Sequence, residues 1–333
     1  MTQHGGTDAL GAAAWDFSTN ANAAGPCPVA LAALRQADPT RYPDPTYTRL
    51  RAALAAFHGI SDARIVIAAS ASEFIMRITA AVKLDGGRHV WRPRLAYGDY
   101  EHAARAWGLP LATQAAQADL AWLCEPSSPQ GGADPMACEA LDWEQHGGVV
   151  VLDRAYEPLR LEGRSSFGAD ALQQVWQMWS PNKALGLTGV RGAYAIAPDT
   201  PEGHALAQRL QALAPSWVLG SQGAAMLQAW ADTETQHWVA ESLTSLRAWK
   251  LQQLALCERL GWTCQPSVTP FYLVSWPGSN DAAARAARLQ AYRAYDLKLR
   301  DAASLGCPGW LRMSVQGPDA QAALQEIVEG VHA

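Results

Sequence analysis

Lys183 is the residue in this sequence whose surroundings best suit covalent chemistry. The apolar residues 175–179 predict a buried strand that delivers Ser180 and Lys183 to its end. Glycines at positions 186, 189 and 192 allow tight turns. Arg191, eight residues after the lysine, adds a permanent positive charge to the same segment. A second strand is predicted over residues 192–197. An amine between two buried strands, beside a hydroxyl and a guanidinium group, suits a Schiff base with a phosphorylated aldehyde.

The complete pattern around this lysine is more specific than the lysine alone. In most proteins, a single lysine in a loop is an exposed residue with no catalytic role. Here S-x-x-K-x-x-G-L-x-G-x-R-G-x-Y extends from Ser180 to Tyr194, which favours the chemical interpretation. Neither G-x-G-x-x-G nor G-x-x-x-x-G-K-[ST] occurs, which disfavours a nicotinamide dehydrogenase and a P-loop enzyme.

A carboxylate stands at the end of another predicted strand. Residues 149–152 are strongly apolar, and Asp153 follows them, 30 residues before Lys183. Sites in parallel α/β sheets gather at the carboxyl ends of strands. Asp153 could therefore place a negative charge at such a site, and Tyr156, three residues later, could place a hydroxyl beside it. A strand-end aspartate without these neighbours is more often a helix cap or a turn residue.

The remaining candidate residues also follow predicted strands. Ala71 and Ser72 open a helix after the strand at 64–68, where free N–H groups can bind a phosphate or serve only as a cap. Tyr97, or else Tyr100, follows the strand at 89–92 and could stack on a ring or pack in the core. Each of these elements would bring its side chain to one edge of the sheet.

Composition limits the class of protein. The chain has 333 residues, of which 49% are hydrophobic and 17% charged, so a large core and two domains are expected. A net charge of -5 argues against a nucleic-acid partner. No 18-residue apolar run and no basic start followed by an apolar stretch occur, which predicts a cytoplasmic protein without a membrane partner. The scattered spacing of six cysteines favours buried thiols over a metal site or a disulfide framework.

The lysine segment resembles the lysine motif of fold-type I pyridoxal-5′-phosphate (PLP) enzymes, the aminotransferase class I/II group. The N-terminus resembles that of L-threonine-O-3-phosphate decarboxylases, which are relatives of histidinol-phosphate aminotransferases. The matching stretches are His4-Gly5-Gly6, Asp16-Phe17-Ser18-x-Asn20-x-Asn22 and Arg41-Tyr42-Pro43-Asp44. The resemblance implies a three-layer α/β/α large domain with a mostly parallel seven-stranded sheet, and a small α+β C-terminal domain. We expect residues 1–45 to form an arm partly packed on the small domain, with the large domain at 46–230 and the small one at 231–333.

The resemblance also implies roles for individual residues. Lys183, Asp153 and Tyr156 would be catalytic, and Ser128 replaces an asparagine that hydrogen-bonds the 3′-oxygen of PLP in relatives. Tyr42 would reach the cofactor phosphate of a partner subunit, which predicts a homodimer with shared active sites. The other expected cofactor contacts are Ala71, Ser72, Tyr97, Ser180 and Arg191. The expected substrate contacts are His4, Asn20, Arg300 and Arg312, and no metal is expected.

Three functions are compatible with these motifs. The first is decarboxylation of L-threonine O-3-phosphate to (R)-1-amino-2-propanol O-2-phosphate in cobalamin biosynthesis, which the His-Gly-Gly start and the arm favour. The second is an aminotransferase of the histidinol-phosphate type, which shares the core motifs. The third is a non-catalytic PLP-binding relative, which departures from the family at residues 68–70, 128 and 154 would permit.

Overall fold

The computed structural model describes residues 5–133 and 147–332. Its α-helices are α1 (Pro28–Gln36), α2 (Thr48–His58), α3 (Ala71–Leu84), α4 (Gly98–Ala106), α5 (Ala169–Gln174), α6 (Pro201–Leu213), α7 (Ser221–Trp230), α8 (Thr233–Arg259), α9 (Ala282–Ala294) and α10 (Pro318–His332). Its strands are β1 (Trp15–Asp16), β2 (Ile65–Ala68), β3 (Val90–Trp91), β4 (Leu120–Cys124), β5 (Val149–Asp153), β6 (Trp176–Trp179), β7 (Ala193–Ile196), β8 (Thr263–Cys264), β9 (Phe271–Ser275), β10 (Leu297–Lys298), β11 (Arg300–Asp301) and β12 (Leu311–Ser314).

The large sheet has the strand order β2-β7-β6-β5-β4-β3. Strands β3 to β6 run parallel, whereas β7 is antiparallel to both neighbours. Alternate residues of β2 enter two different cores: Ile65 and Ile67 pack with α2 and α7, and Val66 and Ala68 pack with α3, α4 and α6. Helices thus cover both faces, which explains the continuous apolar strands. The predicted three-layer, mostly parallel α/β fold is confirmed.

The large sheet of the described residues differs from the prediction in its number of strands. Six strands pair within the described residues, not seven. Beyond β3, the chain contributes only an isolated parallel bridge between Val90 and Leu111. The Val90 N–H donates to Pro110 O at 3.0 Å and the Val90 carbonyl accepts from Ala112 N at 2.8 Å. Pro110 has no N–H to donate, which limits how far this edge segment can extend as a strand.

The second sheet is antiparallel, with the order β11-β12-β9-β8. Helices α8, α9 and α10 supply apolar side chains to its core. The sequence predicts one strand over 297–300, but this segment divides: β10 pairs with β1 of the arm and β11 pairs with β12. The short edge strand β8 and strand β1 were not predicted, because two-residue strands carry too little periodicity to be recognised. The domain boundaries stay a prediction.

One predicted helix begins later than its apolar residues suggest. We expected a helix over 217–230, yet α7 starts at Ser221. Trp217 has a φ of 50°, a left-handed conformation that no helix accommodates. The Tyr47 hydroxyl also accepts from Leu219 N at 2.8 Å and donates to Leu219 O at 2.9 Å, so tertiary contacts decide this segment.

Two expectations from composition can be compared with the described residues. The five cysteines there, which exclude Cys138, are all free thiols, and Cys27, Cys257 and Cys307 are buried. Among the helices of residues 5–133 and 147–332, none has the length and apolar character needed to cross a bilayer.

His58 should make the stability of the protein sensitive to acid. Its Nε2 lies 2.8 Å from the Tyr194 hydroxyl, and burial together with the charge of Arg154 lowers its pKa from 6.5 to about 4. The unfolded chain therefore takes up the proton first, so stability is complete above pH 6.5 and decreases as the pH falls towards 4. Between pH 7 and pH 4 this group should remove roughly 3 kcal/mol.

Urea denaturation of wild type and His58→Gln at both pH values measures this contribution. The variant should lose less stability on acidification than the wild type. Equal losses in the two proteins would mean that His58 is not buried as a neutral ring.

Candidate active site

A cavity of about 330 Å³ lies where the ends of the large-sheet strands meet the arm and the antiparallel sheet. This volume is in the usual range of small-molecule sites. Most of the predicted site residues line it, namely Asn20, Ala71, Ser72, Tyr97, Ser128, Asp153, Tyr156, Ser180, Lys183, Arg191, Arg300 and Arg312. Tertiary folding therefore brings together side chains that are up to 292 residues apart, as from Asn20 to Arg312.

Lys183 lies in the loop between β6 and β7. Its Nζ is 3.1 Å from Ser180 Oγ and 5.4 Å from the centre of the Tyr156 ring. The loop turns tightly, with Leu187 N donating to Asn182 O at 2.8 Å and Gly186 at a φ of +66°. Glycine adopts this left-handed conformation without strain, so the loop can present the amine to the cavity.

Asp153 is a buried carboxylate at the end of β5, with 5% of its surface exposed. Its Oδ2 accepts from the Tyr100 hydroxyl at 2.7 Å and its Oδ1 from Ala155 N at 2.9 Å. Burial raises the pKa of Asp153, whereas the Tyr100 hydrogen bond and the charge of Lys183 act in the opposite direction. Tyr100, considered in sequence as a stacking ring, instead lies parallel to Trp122 and orients this carboxylate.

The start of α3 forms an anion-binding corner with the lysine loop. Ser70 caps the helix by accepting from Glu73 N at 3.1 Å, and Ala71 and Ser72 face the cavity. Ser180 and Arg191 line the same cavity. Helix N-termini carry unpaired N–H groups and positive potential, and arginine adds a permanent charge. This corner can hold a phosphate.

Arg300 and Arg312 are directly opposite each other on antiparallel strands β11 and β12. Arg300 Nη2 donates to Ser304 Oγ at 2.8 Å, and Arg312 Nη1 donates to Ser128 Oγ at 3.0 Å. Burial and the neighbouring Arg312 lower the pKa of Arg300 to about 10. Like charges directly opposite in a sheet are destabilising. The pair is therefore best suited to anions bound in the cavity.

The arm closes one side of the cavity. Asn20 Nδ2 lies 3.4 Å from the Tyr156 hydroxyl, and its Oδ1 has no hydrogen-bond partner within the described residues. Ser18 and Thr19 also line the cavity, and the Ser18 carbonyl accepts from Arg312 Nη2 at 3.2 Å. A buried acceptor without a partner is costly, so Asn20 is suited to bind a ligand.

Two predicted site residues are not placed in this cavity. Tyr42 is 77% exposed, and its ring stacks on Trp217 with 4.3 Å between centroids. Its contact with a partner subunit stays a prediction. His4 lies outside the described residues, although Gly5 beside it lines the cavity.

Sequence reasoning also missed several residues of the cavity wall. These are Ser70, Cys124, Asn182, Thr188 and Ser304. Asn182 and Thr188 belong to the lysine motif, and their polar side chains were a usable signal. Cys124 ends an apolar strand, and nothing in its sequence position distinguishes it from a core residue.

The geometry fits PLP. A buried carboxylate (Asp153), an amine (Lys183) and a phosphate-binding corner surround one cavity, and these groups suit the ring nitrogen, the aldehyde and the phosphate of that cofactor.

Comparisons with known proteins agree with this geometry. A histidinol-phosphate aminotransferase 2 from Ralstonia nicotianae is 31% identical over 85% of this chain and 79% of its own length. Among solved structures, a histidinol-phosphate aminotransferase from Sinorhizobium meliloti in complex with PLP has a TM-score of 0.75 at 24% identity, covering 94% of this chain and 90% of its own. An L-threonine-O-3-phosphate decarboxylase from Porphyromonas gingivalis has a TM-score of 0.70 at 20% identity, covering 91% and 92%. These two structures support the fold alone.

The family model of aminotransferase class I and II matches residues 14–329, which is nearly the whole chain. The matched region contains the strands and loops that carry Asp153, Lys183 and both opposed arginines. This protein belongs to the aminotransferase class I and II family, and pyridoxal 5′-phosphate is the cofactor of that family.

Proposed function

We propose that this enzyme decarboxylates L-threonine O-3-phosphate to (R)-1-amino-2-propanol O-2-phosphate. The observation that carries the proposal is the opposed pair Arg300 and Arg312 in the cavity. Two guanidinium groups suit a substrate with two anionic groups, and L-threonine O-3-phosphate has a carboxylate and a phosphate. The polar arm, with Ser18 and Asn20 in the cavity wall, adds further donors and acceptors.

An aminotransferase of the histidinol-phosphate type is the second candidate. The curated relatives at 27–31% identity carry that name, which favours it. Histidinol phosphate has a phosphate but no carboxylate, so its single anionic group would bind only one of the two arginines. A dicarboxylic keto acid as co-substrate would use both, and turnover experiments must therefore separate the two functions.

The residues of the cavity have distinct tasks in either reaction. Bound PLP supplies an electron sink for electrons released at the α-carbon of the substrate. Asp153 would bind the ring nitrogen as an anion, and the Tyr156 hydroxyl, near the amide of Asn20, would bind the 3′-oxygen. Ser128 accepts from Arg312 and keeps its O–H free to donate to the same oxygen, although its side chain is shorter than that of an asparagine.

Lys183 would act twice. Its Nζ would hold the aldehyde group of the cofactor in the resting enzyme, and during the reaction it would hold a proton beside the α-carbon of the substrate. Ser180 Oγ, 3.1 Å away, orients the amine. Which bond of the substrate breaks would depend on how the two arginines orient its anionic groups in the cavity. Arg300, Arg312 and Asn20 therefore decide the outcome together.

We also propose that two copies form a homodimer with shared sites. Tyr42 and Trp217 form a stacked aromatic pair that is 77% and 41% exposed. Large aromatic rings exposed together are typical of interaction surfaces. Tyr42 of one copy would contact the cofactor phosphate bound by the other.

Turnover without a keto acid distinguishes the candidate functions. With PLP and L-threonine O-3-phosphate alone, the protein should release CO2 and the amino-alcohol phosphate over many turnovers. A transaminase would instead stop after one amine transfer per site and resume when a keto acid is supplied. Cofactor binding with neither product would leave a non-catalytic relative.

Lys183→Ala should abolish the visible absorbance of the protein-bound cofactor and lower kcat by roughly 10³-fold or more, because the attachment and proton-transfer group is removed. The exposed Lys83 provides a matched control, and Lys83→Ala should keep both the spectrum and the rate. An unchanged spectrum in Lys183→Ala would contradict the assignment.

Replacing either opposed arginine should weaken substrate binding. Arg300→Gln and Arg312→Gln should each raise KM for L-threonine O-3-phosphate by roughly 10- to 100-fold, since a charge-assisted hydrogen bond to an anion is lost. The exposed Arg94 lies outside the cavity, so Arg94→Gln should leave KM unchanged. A substrate with one anionic group would leave one of the two variants unaffected.

A further inference from the structure

The arm lies directly on the backbone of the lysine loop. Asn22 N donates to Lys183 O at 2.9 Å, and Cys27 N donates to Leu185 O at 2.9 Å. The Lys183 carbonyl also accepts from Gly186 N at 3.2 Å. The peptide group of the lysine is therefore held from both sides, once by its own loop and once by the arm.

Glycines make this contact possible. A Cβ atom built on Gly25 would lie 3.1 Å from Leu185 O and 3.2 Å from Gly186 Cα. A Cβ on Gly186 would meet Gly25 Cα at 3.1 Å. Each distance is shorter than ordinary van der Waals contact, so a side chain at either position would push the arm away from the loop.

The Asn22 side chain joins three elements. It is 3% exposed, and its Nδ2 donates to Ala184 O at 3.0 Å and to Ser242 Oγ at 2.7 Å. Its Oδ1 accepts from Ala24 N at 3.0 Å. Both N–H hydrogens of the amide are therefore donated, one to the lysine loop and one to helix α8. A residue that only forms a turn would not need these two long-range hydrogen bonds.

Asn20 and Asn22 face different partners. Asn20 lines the cavity beside Tyr156, whereas Asn22 is turned to the loop behind Lys183. Ser242 is itself fixed, because its hydroxyl donates to Val239 O at 2.6 Å within α8. Hydrogen bonds therefore connect α8 through Asn22 to the peptide group of the lysine.

We propose that Asn22 is a positioning residue for Lys183. Its amide sets the position of the lysine backbone relative to the arm and α8, and thereby the direction in which Nζ enters the cavity. The proposal rests on Lys183 being the amine that binds the cofactor, but it does not depend on the substrate.

The test compares two cofactor forms in Asn22→Ala. Pyridoxamine 5′-phosphate has no aldehyde and forms no covalent bond with lysine. Its Kd therefore reports whether the cavity is intact. Attachment of PLP to Lys183, trapped with borohydride and located by peptide mass spectrometry, measures how well the amine is placed. We expect attachment to slow by about 10-fold while the Kd for pyridoxamine 5′-phosphate changes less than about two-fold, because one misplaced reacting group costs rate rather than affinity.

Ser242→Ala is the second variant, in case Asn22→Ala does not fold. It removes one of the two Nδ2 bonds, so attachment should slow by about two- to three-fold. The matched control is Gln321→Ala, since Gln321 is a buried amide that donates to Trp249 O at 3.0 Å away from the cavity. Gln321→Ala should attach PLP at the wild-type rate.

Two outcomes would overturn the proposal. Attachment at the wild-type rate in Asn22→Ala, or in Ser242→Ala where only that variant folds, would show that the amide does not place the lysine. Equal losses of attachment and of pyridoxamine 5′-phosphate affinity would show a purely structural role. If wild type carried PLP on a residue other than Lys183, the lysine assignment itself would fail, and the peptide map distinguishes that result.

Discussion

A carboxylate buried in a protein interior is unfavourable unless hydrogen bonds and opposite charges compensate it. Asp153 is such a group, and the compensation comes from separate parts of the chain: a hydroxyl on α4, a backbone N–H after β5 and the amine of the lysine loop. All three must be held at fixed distances from β5. The parallel sheet provides this, because neighbouring strands end at the same edge and deliver their following loops to one place. The pyridine nitrogen of PLP would complete the set as a cationic partner.

The cavity is electropositive in a chain whose net charge is -5. Four basic residues line it, namely Lys183, Arg191, Arg300 and Arg312. Arg300 and Arg312 are directly opposite each other on paired strands. Clefts lined by one sign of charge concentrate ligands of the opposite sign. This arrangement suits a site that binds anionic groups.

Departures from the family pattern are compensated locally. The serine at position 70 caps α3, so the helix begins in an ordered way despite the departure from the family at residues 68–70. Ser128, which replaces an asparagine, is bound to Arg312. Arg154, which replaces a glutamate, lies 4.5 Å from the ring of Trp179 and hydrogen-bonds Gln177. Each change has a partner in the structure, which supports an active enzyme over a decayed one.

The sequence by itself determined the long elements and the strand-end positions of Asp153 and Lys183, because apolar runs, strand ends and the lysine motif are local patterns. The three-layer order and the two arginines of the cavity followed from the family resemblance. The sequence did not determine the short strands β1 and β8, the late start of α7 or the isolated bridge beside β3, since these depend on partners distant in sequence. Only the tertiary structure decided three further features. These are the hydrogen bond from Tyr100 to Asp153, the pairing of Arg300 with Arg312, and the hydrogen bond from Asn22 to the lysine loop. Long-range hydrogen bonds and the register of paired strands have no signature in local composition, and tertiary packing establishes them.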